Sequence, residues 1–496
     1  MRILTLICLL LMGGIGANNL FGQGQQQAFA DQIAWKQRKS ENFVVYYPEG
    51  NEASAGIVLR YAEQARFDLS ALLDYRPDGP HTLFYLPQAQ ALLYSDFDLT
   101  KPDLLPGRTN VPDHFGIVVH PGTSQELYSE VKRQVARVLL QEFNYGYRLG
   151  SIAQTSLLFY DADWFTEGLA DFMGYGWTFK DEQLIKTLTA YQLLELAQEG
   201  EGYLNRIARR SVWHYVTHEY GLQKLREIIY LANISHSIES GIISVLGITL
   251  NSLTSRWQQY MQKRLREQQN GRELLAEMND ALRLPAYRDG VATSFAHDPG
   301  GNKAAIYINR SGRQELFIYD QETRQYTSTS IKTGLSRLNG ESLLVYPPLA
   351  WSHDGKTIAT VIYDALGAQL VFYDVSSEEI TLKELSPRIE EITHISWAYQ
   401  DDRLAYSVRH RGKSDIWVAP KGSNVFVALT NDPYDDLRPT WSLDDQFIFF
   451  SSNRDSLAID DVARDWEGHQ RDFDLFKLKV LTETPELVQL TNTPDV

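Results

Sequence analysis

The period of the hydrophobic positions changes along the chain. Between 42 and about 116, short β-type runs flank one helical stretch. Phe43-Val-Val-Tyr-Tyr47 is a run of β-branched and aromatic residues stopped by Pro48, and His81-Thr-Leu-Phe-Tyr-Leu86 is a second, stopped by Pro87. Between them Ile57, Tyr61, Ala65, Leu69 and Leu72 recur every three or four residues, which predicts a helix over 55–73. From about 124 to 280 the pattern is mostly helical. Leu127, Val131, Val135 and Val138 share one face, and further helices are predicted at 164–173, 183–197, 207–220, 223–231 and 253–270. From about 282 onward the texture becomes short β runs separated by regular turns.

That last region repeats itself. Leu349-Ala-Trp-Ser-His-Asp-Gly-Lys-Thr-Ile-Ala359 aligns with Ile395-Ser-Trp-Ala-Tyr-Gln-Asp-Asp-Arg-Leu-Ala405 and with Pro439-Thr-Trp-Ser-Leu-Asp-Asp-Gln-Phe-Ile-Phe449. A weaker copy is Ser294-Phe-Ala-His-Asp-Pro-Gly-Gly-Asn-Lys-Ala304. Trp351, Trp397 and Trp441 lie 46 and 44 residues apart, near the length of one four-stranded propeller blade. In each unit a buried Trp ends one strand, an Asp with Gly or Asp makes the turn, and an apolar strand follows. Together with Leu429-Thr-Asn-Asp432 and Leu490-Thr-Asn-Thr-Pro494, these motifs resemble the TolB-type β-propeller family over roughly 282–496. Closed propellers have 4–8 blades. The expectation is a four-bladed ring or the front part of a longer propeller, and the second is preferred.

The helical region carries a different motif, Asp163-Trp-Phe-Thr-Glu-Gly-Leu-Ala-Asp-Phe172. It resembles the segment that supplies the third zinc ligand in gluzincin metallopeptidases of the peptidase MA-like type, over roughly 41–265. The resemblance casts Glu167 as that ligand. Such a peptidase also needs two histidines at i and i+4 on the preceding helix and a general-base Glu after the first. In the register that keeps the apolar face of 130–143, the ligand positions hold Gln134 and Val138 and the base position holds Val135. Valine has no donor atom and cannot accept a proton. A slipped register over 141–145 restores a base at Glu142 but no histidine. These four positions, Gln134, Val135, Val138 and Glu167, are therefore expected to be vestiges, with no catalytic residue, metal or cofactor. His214 and His218, four apart on a helical stretch, are the alternative: with Glu167 they would form a relocated zinc site. Tyr215 stands where the base belongs, and two ordinary histidines beside Trp213 and Tyr220 are the simpler reading.

Charge narrows the partners. The chain has 496 residues with 63 acidic and 47 basic, a net charge of −16, which disfavours nucleic acid. One cysteine, Cys8, falls in an apolar run after Arg2 that is followed by small residues. This is the layout of a signal peptide at 1–22, with a linker expected at 23–40. The mature chain is then free of cysteine, has no transmembrane segment, and is exported to the periplasm or cell envelope. Arg206, Arg209 and Arg210 read as a solvated helix face. Asp435-Asp436, Asp444-Asp445 and Asp460-Asp461 read as solvated turns in preference to calcium loops. Phosphate loops and Gly-x-Ser-x-Gly elbows are missing.

The expected architecture is a multidomain α+β chain: a zincin-like α/β-helical domain at 41–280, followed by an incomplete or four-bladed propeller at 281–496. The expected function is a non-catalytic binding or scaffold protein with protein partners in the bacterial cell envelope. The alternatives are a zinc-dependent hydrolase with relocated ligands or with active residues in a missing C-terminal part, and a glycan- or peptide-binding propeller.

Overall fold

The computed structural model describes residues 34–87, 115–145, 163–185, 190–199, 203–235, 237–269, 290–310, 313–334, 346–364, 367–386, 388–400, 402–423, 425–459, 472–480 and 486–492. The N-terminal part is a four-stranded sheet covered by helices. Strand β2 (Phe43–Pro48) alternates as its sequence requires, burying Phe43, Val45 and Tyr47. It pairs in parallel with β3 (His81–Leu86), which pairs in parallel with β4 (Phe115–Val119). The sheet edge is β1 (Trp35–Lys39), antiparallel to β2. This strand falls within the stretch expected as a linker. Its sequence, with one apolar residue in five, gives no strand signal, and it is held by backbone pairing to β2.

Helix α1 (Glu52–Leu73) packs on β2, and α2 (Ser124–Tyr145) packs on α1 and β4. Against α2 lies α3 (Asp163–Tyr175), which also contacts α6 (Tyr203–Tyr220). Two glycines permit this closeness. A Cβ at Gly174 would stand 2.6 Å from the Cα of Arg133 on α2, and one at Gly168 would stand 3.0 Å from the backbone of Arg209 on α6. Of the helix expected at 183–197, the described residues fall in α4 (Phe179–Ile185) and α5 (Ala190–Glu199). The remaining helices are α7 (Leu222–Ser235), α8 (Ile238–Leu246) and α9 (Leu250–Gln269). One apolar core, with Trp213 and Trp257 at its largest side chains, joins the sheet to these helices. None of the described helices is long and apolar enough to cross a membrane.

The C-terminal part is a series of four propeller blades, each an antiparallel four-stranded meander. The first holds β5 (Val291–His297), β6 (Lys303–Arg310), β7 (Arg313–Asp320) and β8 (Gln325–Gly334). The second holds β9 (Leu349–Trp351), β10 (Thr357–Asp364), β11 (Gly367–Asp374) and β12 (Ile380–Glu384). The third holds β13 (Glu391–Trp397), β14 (Arg403–His410), β15 (Lys413–Pro420) and β16 (Val427–Ala428). The fourth holds β17 (Asp436–Trp441), β18 (Phe447–Ser452), β19 (Asp474–Lys479) and β20 (Leu487–Gln489).

The repeated residues build the seams between blades. Trp351 is buried against the first blade and donates its indole N–H to the carbonyl of Ala296 at 2.9 Å. Trp397 repeats the bond one blade on, to Ala350 at 3.3 Å. The following turn is also shared: Asp354 accepts from the Lys356 amide at 3.0 Å, and Asp444 from the Gln446 amide at 3.2 Å. Gly355, at φ 73°, and Asp445, at φ 54°, take the left-handed position of these turns.

Candidate functional site

Two polar assemblies stand out, and the first contains the positions singled out in the sequence. On α2, Glu130, Arg133 and Arg137 face α3, and Gln134 lies beside Gly116 of β4. Glu167 of α3, about a third exposed, is paired with Arg137 at 3.0 Å and with Arg133 at 3.5 Å. One turn on, the buried Asp171 binds Arg133 and, at 3.0 Å, Arg206 of α6. Burial alone would raise the Asp171 pKa, but the two guanidinium groups outweigh it and hold it below the usual carboxylate value. Glu130 accepts from the Tyr175 hydroxyl and from Gln134 Nε2, the latter at 2.7 Å. Val135 and Val138 are buried in the apolar core.

This arrangement does not fit zinc. Val138 offers no donor and Val135 no base, and Gln134, whose Nε2 is held by Glu130, has only a neutral amide oxygen to offer, a poor zinc ligand. The carboxylate of Glu167 already faces two guanidinium groups, whose charge would repel a metal ion placed beside it. Glu142, the base of the slipped register, is a structural tie. It is buried, bonds His81, and accepts from Tyr75 Oη at 2.9 Å and from the Asp78 amide at 2.7 Å. Burial opposes its ionisation, but these donors keep its pKa low.

The two histidines sit elsewhere on α6. His214 stacks on Trp177 with centroids 4.9 Å apart, and its Nε2 lies 3.3 Å from the Tyr260 hydroxyl. His218 is exposed, its ring 6.0 Å from that of His214. Burial, with the nearby Arg264 charge, pushes His214 down to about 4, so it is neutral at pH 7. The ion pairs of Glu167 run to α2, whereas His214 makes its contacts with Trp177, Tyr260 and His218.

The arginine cluster differs from the expected solvated face. Arg210 is buried in an ion pair with Asp181, Arg206 holds Asp171, and Arg209 donates to the Ala197 carbonyl at 3.1 Å. The reason is α3 and α4, which bring their aspartates over this side of α6. Asp181 is additionally fixed by the Thr178 amide at 2.9 Å and hydroxyl at 2.8 Å.

The second assembly joins the N-terminal part to the third and fourth blades. Glu390, just before β13, accepts from Ser54 Oγ at 2.9 Å and Asn51 Nδ2 at 3.4 Å, both at the start of α1, and from the Gly412 amide at 3.2 Å. Asp435, just before β17, accepts from the Ser124 amide at 2.7 Å and from its hydroxyl, at the first residue of α2, and from the Ser414 amide at 3.3 Å. Arg409, the next-to-last residue of β14, has no exposure. It donates to the Pro87 carbonyl beyond β3 and pairs with Glu391 at 2.7 Å. Gly412, at φ 76°, lets the β14–β15 hairpin reach α1: a Cβ there would lie 3.0 Å from Ser54 Oγ and 3.2 Å from Ser54 Cα. Propeller carboxylates thus stand at two helix N-termini, where unpaired N–H groups and the helix dipole favour negative charge.

Beneath this junction lies a buried acidic group, Asp415, Asp432 and Asp436, with carboxylate oxygens within 4.8 Å of one another. Arg454 bridges two of them, at 3.0 Å to Asp432 and 2.6 Å to Asp436. One guanidinium faces three carboxylates, and burial, with the Asp436 and Asp432 charges, holds Asp415 well above the usual carboxylate value despite the nearby Lys413. Burial and the Asp436 charge push Asp432 up to about 7, and burial pushes Asp435 up to about 6 despite its hydrogen bonds. Asp435, Asp436 and Asp445 are therefore not the solvated turn residues expected from the sequence. They are buried, and Asp445 ties the third blade to the fourth by accepting from the Tyr399 and Gln400 amides, each at 2.6 Å. Asp460-Asp461 lie outside the described residues. Neither Glu390 nor Arg409 was singled out in the sequence, because the partners are more than 300 positions away: 336 separate Ser54 from Glu390 and 322 separate Pro87 from Arg409.

No family model matches the chain, and no curated protein does. Among solved structures it is similar to TolB from Acinetobacter baumannii, with 15% identity and a TM-score of 0.30, over 41% of this chain and 45% of that one. A putative TolB from Agrobacterium tumefaciens gives 15% identity and 0.30, over 41% and 63%. The propeller domain of the Trilobed protease from Pyrococcus furiosus gives 14% and 0.28, over 40% and 56%. The matched part spans less than two thirds of each of these chains, and likeness at such TM-scores carries no argument about activity.

Proposed function

We propose that this chain is a non-catalytic exported protein of the bacterial cell envelope. In this reading a pseudo-metallopeptidase domain at 41–280 and a TolB-like propeller at 281–496 present surfaces to protein partners. One observation carries the proposal: Glu167, cast as a metal ligand by the peptidase-like motif, is bound by Arg133 and Arg137, while Val135 and Val138 fill the base and second-ligand positions. In this reading the helix pair α2–α3 serves packing and ion pairing and has no zinc donors to offer beyond Glu167. The propeller supports the same reading, since blades form broad rigid faces suited to protein recognition. The test is capture by the mature chain, cross-linked in envelope fractions and compared with a propeller of unrelated sequence. Specific retention of a defined envelope protein is the expected result. Retention of nothing beyond the control would count against a scaffold role.

A further inference from the structure

In sheets with parallel strands, the edge where strands end and helices begin is where ligands bind, because helix N–H groups and positive dipole ends converge there. In the N-terminal part this edge is formed by the ends of β3 and β4 and the starts of α1 and α2. It is occupied by the propeller. Glu390 and Asp435 take the donors of Asn51, Ser54 and Ser124, and Arg409 takes the Pro87 carbonyl. His120, directly after β4, is buried at this edge beside Gly412 of the propeller.

The character of the junction matters as much as its place. Each apolar cluster of the described residues lies wholly within the N-terminal part or wholly within the propeller. What spans the junction is polar, with the close approach of Gly412 to Ser54 and Ile57 beside it. Interfaces of this kind between domains resemble transient ones, and relative motion is their default.

We propose that blades three and four are a lid over the carboxyl-terminal edge of the N-terminal sheet, latched by Glu390 and Asp435 at the starts of α1 and α2. The structure is the closed state. In the open state the same helix starts face solvent. This device stands independently of whether the N-terminal part descends from a peptidase.

Distance measurement between two spin labels on the whole mature chain tests it. Lys263 on α9 and Lys356 in the second blade are largely exposed and, with no cysteine after Cys8, Lys263→Cys and Lys356→Cys provide unique labelling sites. The parent should give one narrow distance distribution, and the Glu390→Ala, Asp435→Ala double variant a broadened one shifted to longer distances. Ser54→Ala with Ser124→Ala removes the two hydroxyl donors from the other side and should broaden the distribution in the same direction. It serves as the test if the first pair fails to fold, as judged by circular dichroism. A distribution as narrow as the parent's in a folded variant overturns the latch. A parent distribution already broad overturns it equally.

Discussion

Asp171 is nearly without exposure and holds two guanidinium groups, so its removal strands Arg133 and Arg206 in the interior. Asp171→Ala should cost about 3–5 kcal/mol in urea unfolding. Glu167→Gln, at a site one-third exposed, should cost less than ~1 kcal/mol. The two kinds of shifted carboxyl also predict opposite pH responses. Asp171 has a lowered pKa, so its contribution is present above about 4 and lost as the pH falls below that. Asp432 and Asp435 are raised, so the folded state binds their protons more tightly than the unfolded chain does. Their effect favours folding as pH falls from about 7 toward about 4, and opposes it above. The Tm difference between parent and Asp432→Asn should therefore change between about pH 5.5 and pH 8, with the variant gaining relative to the parent at the higher pH. A difference constant across that range would contradict the assignment. These pairings were not legible in the sequence. Arginines three and four apart look like a solvated face until the aspartates 35 and 29 positions away are folded over them.

At the scale of elements, legibility followed the source of the signal. β2 and β3 were read from short β-branched and aromatic runs ended by proline, and the blades from a repeat whose Trp and turn residues recur because each seam needs them. β1 was missed because backbone pairing holds it, and pairing leaves no pattern in five residues with one apolar side chain. The packing of α3 was likewise invisible, although it depends on two glycines. Gly174→Ala would drive a methyl group into the backbone of α2, and should destabilise by about 1–3 kcal/mol in chemical denaturation, without loss of helix content. An unchanged midpoint would mean that α3 can move away from α2.

For the whole molecule, the sequence pointed to two parts but not to how they meet. Repeats and periodicities are local, whereas the junction is built from single polar residues whose partners lie hundreds of positions away. Recognition of the peptidase-like motif located Glu167, but only the fold revealed which groups surround it. The central claim is that these groups are the chain's own arginines and that the N-terminal part does not bind zinc. The most direct measurement is the metal content of the purified protein after equilibration with excess zinc and removal of free metal, repeated on Glu167→Gln and on His214→Ala with His218→Ala. The account predicts no retained zinc in any of them. Near-stoichiometric zinc in the parent, lost in those variants, would contradict it and establish a rebuilt metal centre.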